Sequence, residues 1–187
     1  MKGLKYLMGI IMMAIGASDA TSSHLRGVAL FNRTQLVNEV LVRHNHYRKL
    51  HQAQPVRLAS EIQTLAQTWA DTLQREGKFQ HGMLADSKNR PVGQNLAWSS
   101  STTNPFNISA RVDSWYKEIV RYNFSDPKFS FTTGHFTQLV WNATTFIGVG
   151  ISQGPNGTYV VVDYFPAGNV AGRYPQNVFP ILSYPNQ

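Results

Sequence analysis

Gly134-His135-Phe136-Thr137-Gln138-Leu139-Val140-Trp141 is a short apolar stretch with one histidine at its head. Phe136, Leu139 and Val140 fall at helical spacing, so one side of the segment can face a core. Gly134 interrupts whatever precedes it and leaves His135 at a helix N-terminus, where an imidazole can be presented to a cleft. Trp141 closes the segment with a large apolar body. Periodicity alone makes this a buried half-helix and His135 a hydrogen-bonded structural histidine.

Downstream the period changes from helical to extended. Phe146 to Ser152 and Thr158 to Phe165 are rich in β-branched and aromatic residues, and Gly154-Pro155-Asn156-Gly157 between them is a hairpin signal. Tyr159-Val160-Val161-Val162-Asp163-Tyr164-Phe165 is almost continuously apolar, as in a central strand covered on both faces. Pro166-Ala167-Gly168-Asn169 ends it.

Upstream, three helices are predicted. Thr34 caps the first, Gln35 to about His51, with Leu36, Val37, Val40, Leu41, His44 and Tyr47 on one side and Pro55 past its end. Ser60 and Gln63 form a capping box for the second, whose face is Ile62, Leu65, Ala66, Trp69 and Leu73 and which Gly77 terminates. Ser109 starts the third, which buries Val112, Trp115, Tyr116, Ile119 and Tyr122 and carries Glu118 at the edge of that face. Lys78 to Ser100 reads as a long irregular segment, of the kind that carries function. It holds His81 and, within Gly93-Gln94-Asn95-Leu96-Ala97-Trp98, Gln94. Helices before strands predict an α+β, three-layer arrangement.

The chain has 187 residues, enough for one domain with a substantial core. Met1 to Ala20 stands apart. Lys2 and Lys5 precede an apolar run, Leu7 to Ala17, and Ser18-Asp19-Ala20 ends it with small residues, the pattern of a secretory signal peptide. The run is shorter than the roughly 20 apolar residues a membrane-spanning helix needs, and no later stretch approaches that length. Residues 21–33 are expected to form an N-terminal arm and 34–187 a single domain. Once Lys2, Lys5 and Asp19 are removed, 17 Lys and Arg become 15 and 10 Asp and Glu become 9, a formal charge of +6. That charge favours acidic partners such as anionic lipid headgroups. Secretion argues against nucleic acid. No cysteine is present, so no disulfide staples the fold. Five N-glycosylation sequons begin at Asn32, Asn107, Asn123, Asn142 and Asn156, each of use only at the surface of a protein in the secretory pathway.

The residue inventory excludes much chemistry. There is no His-Glu-x-x-His, no phosphate loop and no thiol, and the one Gly-x-Ser-x-Gly match, Gly150-Ile151-Ser152-Gln153-Gly154, falls in the extended run before the hairpin rather than at the strand-to-helix turn of a nucleophile elbow. His81, His135 and Glu118 remain, with His44, His46 and Asp163 as further candidates. His44 and His46 are two residues apart and point to different helix faces, so they do not pair on a metal.

The opening octapeptide resembles the first signature of the superfamily of cysteine-rich secretory proteins, antigen 5 and pathogenesis-related 1 proteins, the CAP superfamily. Tyr164-Phe165-Pro166-Ala167-Gly168-Asn169 resembles the second signature, with Val162 where a cysteine is usual. His44-Asn45-His46-Tyr47-Arg48, Gly93-Gln94-Asn95-Leu96-Ala97-Trp98 and Trp115-Tyr116-Lys117-Glu118-Ile119 resemble three further family segments in the family's order. The cysteine-free form looks most like the Golgi-associated plant pathogenesis-related subgroup. The resemblance implies a three-layer α-β-α sandwich and a cleft of two histidines and two glutamates. Carried over, the histidines are His81 and His135 and one glutamate is Glu118; the other position is Gln94. Glutamine cannot act as a general base, and it removes a charge that would favour a cation.

Two readings of this cleft stand side by side. In one, His81 and His135 hold a divalent cation such as Zn2+ weakly, with Glu118 orienting an imidazole. In the other the cleft is neutral, hydrogen-bonded and metal-free. The expected function is a secreted, non-enzymatic binding module for a sterol, fatty acid or acidic phospholipid, or for an extracellular protein partner. The alternative is a metal-assisted hydrolase using His81, His135 and Glu118. The aromatics between Phe124 and Phe131 suit lipid contact but read first as core packing.

Overall fold

The computed structural model describes residues 32–100 and 107–182. The proposed signal peptide and nearly all of the proposed arm lie outside these residues. In chain order the elements are α1 (Arg33–Leu50), β1 (Arg57–Leu58), α2 (Ser60–Glu76), β2 (Gly93–Ser99), α3 (Ile108–Tyr116), a 3₁₀ turn (Lys117–Arg121), α4 (Gly134–Leu139), β3 (Phe146–Gly154) and β4 (Gly157–Phe165). The strands form one mixed sheet in the order β1-β3-β4-β2; β1 runs parallel to β3 and the other pairs are antiparallel. This is the α+β, three-layer arrangement expected.

The hairpin shows why. Residues of β4 alternate between two cores. Val160, Val162 and Tyr164 pack with α1, α3 and α4 on one face, while Tyr159 and Val161 pack with Ala66, Ala70 and Leu73 of α2 on the other. As expected of a central strand, every β4 residue but Phe165 is buried. In β3, Ile147, Val149 and Ile151 serve the first core. The alternating positions are Gly148 and Gly150, and a Cβ there would lie 2.2 Å and 2.0 Å from the backbone of Ile62 and Ala66. Helix α2 therefore rests directly on bare strand backbone.

The helix also completes the strand. Beyond its two-residue pairing with β1, the outer edge of β3 meets no further strand among the described residues. Gln63 accepts from Val149 N–H (3.0 Å) and donates to Val149 C=O, and Gln67 does the same to Ile151 (3.1 Å each). Two glutamines thus stand in for a missing strand.

Several boundaries differ from the sequence reading. Asn32 caps α1 in place of Thr34, because its Oδ1 reaches Gln35 N–H at 3.1 Å, so the helix takes in Arg33. The capping box at Ser60 and Gln63 does not form: α2 starts at Ser60 behind Ala59, and Gln63 is engaged with β3. Asn107 caps α3 through Ala110 N–H and moves its start to Ile108. The supposedly irregular Lys78–Ser100 contains β2, whose polar Gln94 and Asn95 hide its strand character. Gly77 ends α2 as expected, in the left-handed region at φ 65°. Among the sequon asparagines, Asn32, Asn107, Asn123 and Asn156 are exposed, and Asn142 is half-buried.

Two buried residues of α1 tie the layers together. Arg48 donates to five backbone carbonyls, those of Gln54, Leu139, Trp141, Asn142 and Thr144, at 2.8–3.5 Å. His44 bonds Val40 C=O through Nδ1 (2.8 Å) and Tyr164 Oη through Nε2 (2.7 Å). Its role is structural. Burial, aided by the Arg48 charge, lowers its pKa from 6.5 to about 4. The unfolded chain therefore takes up this proton at higher pH than the folded one. The stability gained is complete above pH 6.5 and is lost as pH falls toward 4. At full effect this is on the order of 3 kcal/mol. The buried Asp163 carboxyl, with its pKa raised to about 7, acts in the opposite sense over the same range, so the His44 contribution is read as a difference. Urea unfolding at pH 7 and at pH 4.5 is expected to show the stability advantage of wild type over His44→Gln shrinking on acidification.

Candidate functional site

A cleft of about 250 Å3 is lined by His81, Gln94, Asn95, Phe129, Phe131, Gly134, His135 and Asn169. Larger hollows of about 400 and 340 Å3 adjoin Pro55. Neither is lined by an imidazole or carboxylate, and the candidate residues His81, Gln94 and His135 line the smaller one.

His135 is fixed from three sides. Gly134 opens α4 without a side-chain cap from Thr133. Glu118, on the 3₁₀ turn, supplies the cap from another element. Its Oε2 accepts from His135 N–H (3.0 Å) and Phe136 N–H (3.1 Å), and its Oε1 accepts from Nδ1–H of the His135 ring at 2.7 Å. A carboxylate at a helix N-terminus is also favoured by the helix dipole. The Trp115 indole lies nearly parallel to the imidazole, 5.9 Å between centroids. Asn169 bonds Gly134 C=O and the Thr137 hydroxyl, holding the start of α4 against the end of the sheet. With Nδ1 occupied, His135 has only Nε2 to offer.

His81 is held by a different route. Trp69 of α2 donates to Gln80 C=O (3.2 Å), and a Cβ at Gly82 would lie 2.8 Å from the Trp69 ring, so the loop is pressed onto the helix. The His81 ring is exposed, and its Nδ1 lies 3.0 Å from Gln94 Oε1. That oxygen also accepts from Gly82 N–H at 3.1 Å, while Gln94 Nε2 donates to Asp163 Oδ1 at 2.9 Å. Both ends of the amide are thereby assigned. An amide oxygen can only accept, so in this contact a neutral His81 ring carries its proton on Nδ1 and leaves Nε2 as the bare nitrogen.

The neighbouring strand residue ties the cleft to the core. Asn95 Nδ2 donates to His135 C=O (3.0 Å) and to Tyr164 Oη (3.1 Å), which in turn bonds His44. Cleft, sheet and α1 thus share one polar network.

A family model for the cysteine-rich secretory protein family, CAP, matches residues 41–164. The chain belongs to the CAP family. Human Golgi-associated plant pathogenesis-related protein 1 is 39% identical over 149 residues, 78% of this chain and 94% of the relative. Protein PRY2 of Saccharomyces cerevisiae is 37% identical over 151 residues, 79% of this chain and 41% of the relative. Among solved structures, that of NaASP2 with Zn2+ aligns with a TM-score of 0.60 at 22% identity over 78% of this chain and 85% of that one.

Within this CAP chain, the four candidate positions His81, Gln94, Glu118 and His135 form two imidazole–acceptor pairs. His81, Gln94 and His135 line the cleft, with Glu118 behind His135. Among the described residues, no three His, Cys, Asp or Glu are grouped so that they could hold a metal ion. A cation here would have two protein ligands, and water would complete its shell. Two features escaped the sequence reading. Phe129 and Phe131 flank the cleft 46% and 90% exposed, whereas Phe124 alone packs on the core as expected of this aromatic run. Asp163 stands behind Gln94; it was one of six titratable candidates, but only the register between β2 and β4, which sets Gln94 opposite Asp163, brings the two together.

Proposed function

We propose that this CAP protein is an exported, non-enzymatic binding module whose cleft holds a divalent cation weakly through Nε2 of His81 and Nε2 of His135. One observation carries the reading: both rings line the cleft with Nδ1 engaged by an acceptor, so Nε2 is the nitrogen each has left to offer. Anion recognition would call for N–H donors in the same places. Second-shell acceptors of this kind are what orient imidazoles toward a metal. Two neutral ligands without a coordinated carboxylate make for weak binding. Export rests on the Met1 to Ala20 leader pattern.

The same bonds count against a hydrolase. Glu118 is saturated by three donors, Gln94 cannot take up a proton, and Asp163 is fully buried. No free carboxylate base faces the cleft among the described residues. A lipid or sterol partner has a separate support in Phe131 and Phe129 at the rim, together with the basic charge of the chain. Such binding to anionic vesicles should weaken with salt and survive His135→Ala.

The cation reading is tested by zinc titration followed by calorimetry. NaASP2, which shares the fold, has been solved with Zn2+, so zinc is the first ion to try. Wild type is expected to bind with low affinity, and His81→Ala and His135→Ala each to abolish the heat. Binding unchanged in both variants would remove the reading.

A further inference from the structure

Asp163 occupies the middle of the sheet, on β4, facing Gln94 of β2 and Gly148 of β3 in register. It is fully buried. Oδ1 accepts from Gln94, and Oδ2 has no hydrogen-bond partner. Burial raises its pKa from 3.8 to about 7. A half-satisfied carboxyl in this place destabilises the fold. A valine would continue the run Val160-Val161-Val162 without that cost, so the carboxyl calls for another explanation.

The explanation lies in what Gln94 needs. Its amide can sit in two orientations. In the one observed, Oε1 meets two donors, Gly82 N–H and His81 Nδ1–H, and Nε2 meets an acceptor. In the flipped one, Nε2 would face Gly82 N–H, donor against donor. An acceptor at position 163 makes the first orientation the stable one. A glutamate at position 94, which the family resemblance leads one to expect, would instead put two carboxyls 2.9 Å apart, and they could not both ionise. Gln94 and Asp163 are thus a matched pair.

We infer that Asp163 is a positioning residue that acts through Gln94 to hold the His81 proton on Nδ1 and leave His81 Nε2 as a lone-pair donor to the cleft. The benefit to cation binding rests on the function proposed above. The tautomer itself does not, and it can be measured without any cation.

The experiment is long-range 1H–15N correlation of the histidine rings in cation-free protein at pH 8. Wild type is expected to show His81 protonated at Nδ1. Asp163→Val removes the acceptor in a strand-compatible form and is expected to lose Nδ1–H as the main tautomer. Asp163→Asn keeps a carbonyl oxygen for Gln94 and is expected to restore it. His135, held by Glu118, should keep its own tautomer in all three and so report an intact cleft. A wild-type His81 protonated at Nε2 overturns the inference before any variant is made. So does an unchanged His81 in Asp163→Val with His135 intact. Zinc titration separates the two levels: where wild type binds, Asp163→Val should weaken binding about tenfold. Absence of zinc binding in wild type would sink the cation reading and leave the tautomer result standing.

Discussion

Arg48→Met is expected to cost more than about 3 kcal/mol, read as a shift in the urea midpoint, and to give little folded protein at 37 °C. The side chain is fully buried, yet none of its five bonds goes to a carboxylate; all go to backbone carbonyls. Leu139 ends α4, so its carbonyl has no helical partner. Trp141, Asn142 and Thr144 lead from α4 into β3. One guanidinium therefore joins the C-terminus of the cleft helix, the following turn and the loop at Gln54. Methionine matches the stem but removes all five bonds, and of the five acceptors the Trp141 carbonyl keeps another donor, Thr144 N–H. Lysine brings three donors from a single point and is expected to recover only part of the loss. Burial lowers the arginine pKa to about 10, which leaves it charged at neutral pH.

Gly150→Ala is expected to be nearly as severe, on the order of 3 kcal/mol, although it adds one methyl group. The new Cβ would lie 2.0 Å from Ala66 O and 2.3 Å from Ala66 C, both backbone atoms of α2. The strand cannot yield, because β4 pairs along its other edge. The helix cannot lift without breaking the bonds of Gln63 and Gln67 to Val149 and Ile151. Gly172 offers the contrast. Its φ is 75°, and nothing lies within 4 Å of an added Cβ. Gly172→Ala should cost only about 1 kcal/mol, the conformational penalty alone. Thermal unfolding of the two variants side by side separates close packing from backbone strain.

Legibility in the sequence followed how local each signal was. The hairpin could be read almost to the residue, because β-branched runs around a Gly-Pro-Asn-Gly turn need no distant partner to be recognised. Gly77 and the run of β4 were equally plain. The capping box failed for a tertiary reason, since Gln63 is worth more as a substitute strand on β3 than as a cap. β2 stayed hidden because its first residues serve the cleft and so break the apolar alternation. In the site, Glu118 and His135 could be paired only through the family resemblance; nothing in a separation of 17 residues shows that a carboxylate caps the next helix. The exposure of Phe131 and the pairing of Asp163 with Gln94 depend on which loops and strands become neighbours. Apolar periodicity carries no record of that.

The central claim is that the cleft presents two nitrogen lone pairs to one cation. The most direct measurement is to repeat the zinc titration ring by ring, following the 15N resonances of the histidine rings. The account predicts that zinc moves Nε2 of His81 and Nε2 of His135 together, along one binding curve, while His44 in the core stays still. Movement of only one of the two rings, or of neither, would contradict it.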